Sequence, residues 1–217
     1  LVWQQSRMQG EQRCCLQLSG AALRIATSRG LQRLGSRHRV DHCNGFDLLR
    51  LAGEPAARSL RRMLPSALQS APEMLQHLAA IRFATDNPDE QSGTPLAIVA
   101  INRDESLTLS EQLTPGESIA WAMRDPGTAI AEIAAATSDA LSADKPPLGA
   151  LMFSCIGRGP YFYGGEDRDL ETVRLRLPDM PILGVYGTMQ LAPMNGITLQ
   201  SNRTLQNSVV SAFIYSR

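Results

Sequence analysis

The chain has 217 residues, is 43% hydrophobic and 19% charged, and sets 21 Lys and Arg against 21 Asp and Glu for a net charge of zero. That length buries a real core as one domain or two small ones, and the neutral balance speaks against a general nucleic-acid binder, which carries a basic excess or stripe. No run approaches the ~18 uninterrupted apolar residues of a membrane span, and the N-terminus lacks the pattern of a secretory signal, so a cytoplasmic protein without a membrane partner is expected.

Residues 1–13 are polar and read as a loose lead-in. From Cys15 to Ala52 the pattern is strand-like: Leu23–Thr27 alternates, as do Arg39–Cys43 and Phe46–Leu51, and Asn44-Gly45 between the last two is a strong hairpin signal. An antiparallel meander is expected there. Ala56–Leu64 then reads as a helix closed by Pro65, and Pro72–Phe83 as a second one, with Met74, Leu75, Leu78 and Ile81 at helical spacing. Residues 85–95 concentrate turn formers.

Leu96–Ile101 is an apolar run of strand length, and Ser118–Met123 follows a turn at Thr114–Glu117. Asp125-Pro126 is a good helix start, opening the Ala-rich amphipathic stretch Thr128–Ala143. Leu148–Ile156 has the composition of a strand buried on both faces. A Gly-rich loop follows at Gly157–Gly165, then a helix over Asp169–Leu177 and apolar strands at Ile182–Tyr186 and Val209–Tyr215. The sum is a mixed α/β fold with largely antiparallel sheets and packed helices.

Chemistry is most concentrated at Phe153-Ser154-Cys155-Ile156-Gly157-Arg158-Gly159, after the most apolar strand. Ligands of open α/β sheets commonly bind at such strand ends. Cys155 offers a polarisable thiol and Arg158 a rigid donor fork for a carboxylate, while the glycines let a ligand approach the backbone. The plainer alternative is a small core thiol, an ion-paired arginine and ordinary turn glycines. The loop departs from G-x-G-x-x-G, and Pro160 removes a backbone N–H that a phosphate would need.

A nucleophilic Cys155 would need a base, and His38, His42 and His77 all lie far upstream. The histidines have no metal-ligand spacing, and Cys14-Cys15 is too tight for a zinc knuckle. No metal and no cofactor are expected. Acids at Glu166, Asp167, Asp169 and Glu171 complement the start of the helix they precede or open; Glu166, nearest the loop, could also face a ligand amine.

Gly149–Pro193 resembles the C-terminal half of FIST domains ("F-box and intracellular signal transduction"). Phe153, Ser154, Cys155, Gly157 and Arg158 match that family's F-S-C-x-G-R strand end, and Gly184, Tyr186 and Pro193 match its later G-F-Y and Pro elements. Leu113–Asp125 is similar to its turn, strand and Arg-Asp before a helix, and Leu16–Leu64 to the end of its N-terminal half. The resemblance implies residues 1–65 as a remnant of the N-terminal half and 66–217 as the C-terminal α/β domain. It also implies a non-enzymatic sensory module of bacterial signalling proteins that binds small, amino-acid-like ligands.

Ser154, Cys155, Gly157, Arg158, Glu166, Tyr186 and Gln190 are the expected ligand-binding residues, with Arg158 on a carboxylate. The family's Gly-Glu pair falls on Met189-Gln190 here, replacing an acid by a neutral amide. A protein-interaction scaffold anchored by Tyr161, Phe162 and Tyr163 is the alternative, with signalling proteins as partners. A Cys155-dependent enzyme is a third. The oligomeric state is left open, and a chain opening Leu1-Val2-Trp3 without Met is expected to be truncated within the N-terminal half.

Overall fold

The computed structural model describes residues 2–4, 7–9, 17–68, 72–83, 93–193 and 202–217. Strands β1 (Val2–Gln4) and β2 (Arg7–Gln9) pair as a short hairpin where the sequence reads as a loose lead-in. Next come β3 (Ala21–Ser28), β4 (Leu31–Asn44), β5 (Asp47–Leu51), β6 (Glu54–Pro55) and α1 (Ala56–Met63). They are followed by β7 (Leu78–Phe83), β8 (Thr94–Ile101), β9 (Leu107–Leu109), β10 (Ser118–Arg124) and α2 (Pro126–Leu141). The chain continues through β11 (Gly149–Cys155), α3 (Arg168–Arg176), β12 (Ile182–Gly187), β13 (Gln190–Pro193), β14 (Asn202–Leu205) and β15 (Val209–Ser216). The fold is mixed α and β with largely antiparallel sheets, and strands dominate it. Cys14, Cys15 and most of the expected 85–95 loop lie outside the described residues.

One sheet closes on itself. Its order β4-β10-β7-β8-β9-β5 returns to β4 through the β4–β5 hairpin, and every pairing in the ring is antiparallel. Closure removes exposed edges and gathers Val40, Leu48, Leu96, Leu107, Ile119 and Trp121 into one apolar core. Helix α1 adds Ala57 and Leu60 to that core, and the Trp121 indole donates to Ser59 Oγ at 3.1 Å. The hairpin turns at Gly45, whose φ of 57° is the left-handed conformation that glycine adopts freely.

The expected helix at Pro72–Phe83 is instead a short 3-10 segment, Pro72–His77, leading into β7. Strand β7 lies between β10 and β8, so its backbone groups are satisfied by both neighbours. Tertiary pairing here overrides a helix-like spacing of apolar residues, as it does most easily in a run of six.

The second main sheet has the order β12-β11-β15-β3. Only β11 and β12 run parallel. The expected N-terminal meander therefore divides: β3 pairs with the C-terminal β15, whereas β4 and β5 enter the barrel. Strands from both sides of residue 65 share each of the two main sheets. Helices α2 and α3 cover one face, where Met152 packs with Ile133 and Val173, and Ala150 with Ala140 and Leu177. The buried stripe of α2 is Ala129, Ile133, Thr137 and Ala140, and Leu141 faces outward. Burial of β11 on both faces does not hold along its length: Phe153, on the face away from the helices, is 41% exposed. Among the described residues no helix is long and apolar enough to cross a membrane.

Candidate functional site

Strand β11 ends at Cys155 and runs into two 3-10 turns, Ile156–Arg158 and Pro160–Tyr163, beside the C-terminal end of β12. These turns carry Arg158 inward, where it is 1% exposed. Its Nη2 donates to Asp169 Oδ1 at 2.8 Å, to Tyr163 OH at 3.0 Å and to Ser28 Oγ at 3.1 Å. Tyr163 OH in turn donates to Asp169 Oδ1 at 2.6 Å. Burial, and then the bond to Asp169, hold the Tyr163 phenol protonated well above its ordinary range. Arg158 is thus committed to Asp169, the α3 residue that the sequence suggests only as a complement to the helix dipole.

This cluster ties the Gly-rich turns to the crossing between the two sheets. Ser28 ends β3, and Gly30 turns the chain into β4 at φ 60°. A Cβ on Gly30 would lie 2.8 Å from Arg158 Nη1 and 2.9 Å from Ala129 Cβ, so only glycine fits. Glu132 of α2 fixes the same crossing by accepting from Ser28 Oγ at 2.8 Å, Arg29 N at 2.7 Å and Gly30 N at 2.8 Å.

A second guanidinium, Arg124 at the end of β10, lies close by in a different situation. Its Nη2 donates to the Gly157 carbonyl and its plane lies 4.6 Å from the Phe162 ring centroid; Arg158 lies 5.5 Å from the same centroid. Its Nε is buried without an acceptor, and no carboxylate pairs with it among the described residues. Burial, and then repulsion from Arg158, lower its pKa from the ordinary arginine value. Burial and the Arg124 charge likewise lower the pKa of the His77 imidazole. Two guanidiniums therefore lie against one aromatic ring, and the one carboxylate beside them, Asp169, pairs with Arg158. The Arg-Asp pair before α2 forms part of the family resemblance, but charge counting by sequence gives no sign that Arg124 lacks a counter-ion.

The seven expected binding residues do not converge on one point. Residues of β11 alternate between the faces of the sheet, so Ser154 turns to the helix side while Cys155 turns to the other. Cys155 is buried and donates from Sγ to the Thr188 carbonyl at 3.3 Å. Tyr186 donates to Asp167, the residue that caps α3 through Leu170 N at 3.0 Å. Glu166 faces solvent and pairs with Arg168 at 2.8 Å. Gln190 is buried, accepting from Ser208 Oγ at 3.2 Å. Gly157 lies so close to Asn207 that a Cβ would meet its Oδ1 at 2.2 Å.

Gln190, Ser208, Asn207, Gly157 and Arg124 thus form a connected run at this end of the sheet. Beside it is an open cleft of about 240 Å³ lined by Phe153, Val185, Met189, Leu191 and Gln190. Of the aromatic loop, Tyr161 is 99% exposed, but Phe162 and Tyr163 turn inward, edge to face at 4.8 Å.

The FIST C domain matches residues 56–192, from the first residue of α1 to the third of β13. The chain belongs to the FIST C domain family. Members of this family are associated with signal transduction. Two curated Mycobacterium tuberculosis proteins, the uncharacterized proteins MT0656 and Rv0628c, are each 23% identical over 187 residues, covering 83% of this chain and 49% of theirs. The uncharacterized protein Mb0898c of Mycobacterium bovis is 23% identical over 176 residues, 78% of this chain and 45% of its own. The chain spans about half the length of these curated relatives. Within the FIST C match lie Arg124, Arg158, Tyr163 and Asp169, whereas Ser28, which also accepts from Arg158, lies outside it.

Burial of Cys155 sets one expectation. Alkylation needs an exposed thiolate, so native protein treated with iodoacetamide and analysed residue by residue by mass spectrometry should label Cys155 at least ~10-fold more slowly than urea-unfolded chain. Equal rates in the two states would remove the burial and reopen a nucleophilic role for this thiol.

Proposed function

We propose that this FIST C chain is a non-enzymatic sensory module that binds a small carboxylate, with amino acids as the first class to test. The seat of the ligand carboxylate is Arg124 rather than Arg158. One observation carries this reading: Arg124 is a half-buried cation with no carboxylate partner among the described residues, beside an arginine that has one. Burying a charge without a counter-ion costs several kcal/mol, and such an arrangement is relieved when an anion arrives. Perturbed charges of this kind gather at binding sites. The cleft that Gln190 lines with Phe153, Val185 and Leu191 suits the side chain of the same ligand.

A thermal-shift screen of amino acids and small carboxylates tests the reading, with Arg124→Met as the comparison. At a concentration of 100 times Kd, a ligand stabilises the native state by about 2.7 kcal/mol, which for a chain of this size is a shift of roughly 5–10 °C. Arg124→Met should fold normally and lose the shift. Failure of every carboxylate to shift the wild type, or an undiminished shift in Arg124→Met, would refute the assignment. The alternative, a protein-interaction scaffold, draws its support from the uncovered face of the second sheet rather than from the aromatic loop, two of whose three rings are turned inward.

A further inference from the structure

Among the described residues the β12-β11-β15-β3 sheet has helices on one face and little on the other. Register places Leu23 and Ile25 of β3, Leu151 and Phe153 of β11, and Leu183 and Val185 of β12 on that second face, with Val210, Ala212 and Ile214 of β15 between them. None of these side chains is charged. The β13–β14 hairpin covers only the Val210 end, through Ala192 and Leu205. Beyond it Leu183 is 72% and Val185 58% exposed. Parallel pairs such as β11–β12 are normally covered on both faces, and monomers rarely leave a continuous apolar patch of this extent in water.

We infer that this face is the contact surface of a homodimer, in which two copies press their sheets together with α2 and α3 outermost on each side. The face is uncharged and therefore complementary to itself, with no ion to strip of water. The chain's zero net charge opposes no approach of a second copy. Four strands at ~4.8 Å spacing and about six residues at ~3.3 Å rise give the whole face a footprint of roughly 400 Å² in plan, part of it under the β13–β14 hairpin. With side-chain relief and the flanking Leu191 and Met189 this becomes ~600 Å² per copy, or ~1,200 Å² in all, which reaches the lower limit of specific interfaces. Two such faces stacked ~10 Å apart make an ordinary sheet-on-sheet core. This inference does not rest on the carboxylate reading, although Phe153, Val185, Met189 and Leu191 belong both to this face and to the cleft of that reading; loss of the dimer is read by mass and loss of the ligand by thermal shift, so the two fail separately.

Sedimentation velocity between 5 and 200 µM (concentrations chosen to span roughly micromolar to sub-millimolar dimers) provides the test, with Val185→Asp and Leu183→Lys on the face and Leu175→Asp on the exposed surface of α3 as control. The wild type and the control should sediment as dimers. Both face variants should sediment as monomers with unchanged circular dichroism, because positions 183 and 185 are mostly exposed in the single chain. A wild type that stays monomeric across the range overturns the inference. So does a dimer that survives both face substitutions. A monomer that instead captures the half of a mycobacterial relative lying outside its match to this chain would assign the face to an added layer of polypeptide, and would equally overturn the homodimer.

Discussion

Asp169→Ala should lower the stability of the folded chain by about 3–5 kcal/mol, because it leaves the Arg158 guanidinium buried without its counter-charge. Arg158 is fully enclosed, and its remaining partners, Ser28 and Tyr163, are neutral. For a chain of this length the loss corresponds to a fall of roughly 10 °C in Tm. Replacing both partners, Arg158→Met with Asp169→Leu, should recover much of the loss, since a matched apolar pair removes both desolvation penalties together. Differential scanning calorimetry of the single and double variants reads this directly. If Asp169→Ala melts within 2 °C of the wild type (less than ~1 kcal/mol), Asp169 is not the counter-ion described here. The same result would return Arg158 to consideration as a ligand-binding residue.

Glu132→Ala should have the next largest effect, about 3 kcal/mol. A single carboxylate oxygen accepts three hydrogen bonds at the crossing from β3 to β4, and bonds to a charged group contribute about 1.5–3 kcal/mol each before water takes some of the freed donors. Glu132→Gln keeps an acceptor oxygen in the same place and should cost only about 1 kcal/mol. The crossing joins the two main sheets, so Glu132→Ala should also broaden urea unfolding, with the β3–β15 sheet opening before the barrel. Equal losses in the Ala and Gln variants would mean that the carboxylate does not hold the crossing.

Local features of the fold were legible in sequence because each rests on local chemistry. Asn44-Gly45 marks the β4–β5 hairpin, and Asp125 caps α2 by accepting from Thr128 N at 2.6 Å, with Pro126 in the first turn. The pairings between distant segments were not legible. Strand β3 meets β15 across most of the chain, and β4 closes a ring with β10, choices made by packing rather than by any pattern within either strand. Leu78–Phe83 misleads for a related reason: Leu75, Leu78 and Ile81 recur at helical spacing only because a 3-10 segment runs into a short, wholly paired strand.

The site divides in the same way. The stretch from Ser154 to Arg158 does close the central strand at an end rich in charge and glycine. Which arginine is satisfied depends on Asp169, eleven residues further on, and on Ser28, on another strand altogether. Aromatic spacing likewise could not reveal that two guanidiniums lie against the Phe162 ring. Glu166, the acid nearest the loop, is a surface partner of Arg168, while the acid that matters lies one helical turn deeper.

The position of the carboxylate can be read at His77, whose pKa is lowered by burial and by the Arg124 charge. In the free protein this imidazole should gain its proton at a lower pH than an ordinary histidine. That lowered pKa contributes stability above the ordinary histidine range, and the contribution is lost as pH falls through the lowered value. A carboxylate seated on Arg124 neutralises the nearby charge and should raise the His77 pKa, whereas a ligand bound elsewhere should leave it in place. NMR titration of the His77 ring protons, with and without a saturating carboxylate identified by thermal shift, makes the comparison. An upward shift that disappears in Arg124→Met is the predicted result. A His77 titration unmoved by a ligand that demonstrably binds would contradict the assignment of Arg124 as its seat.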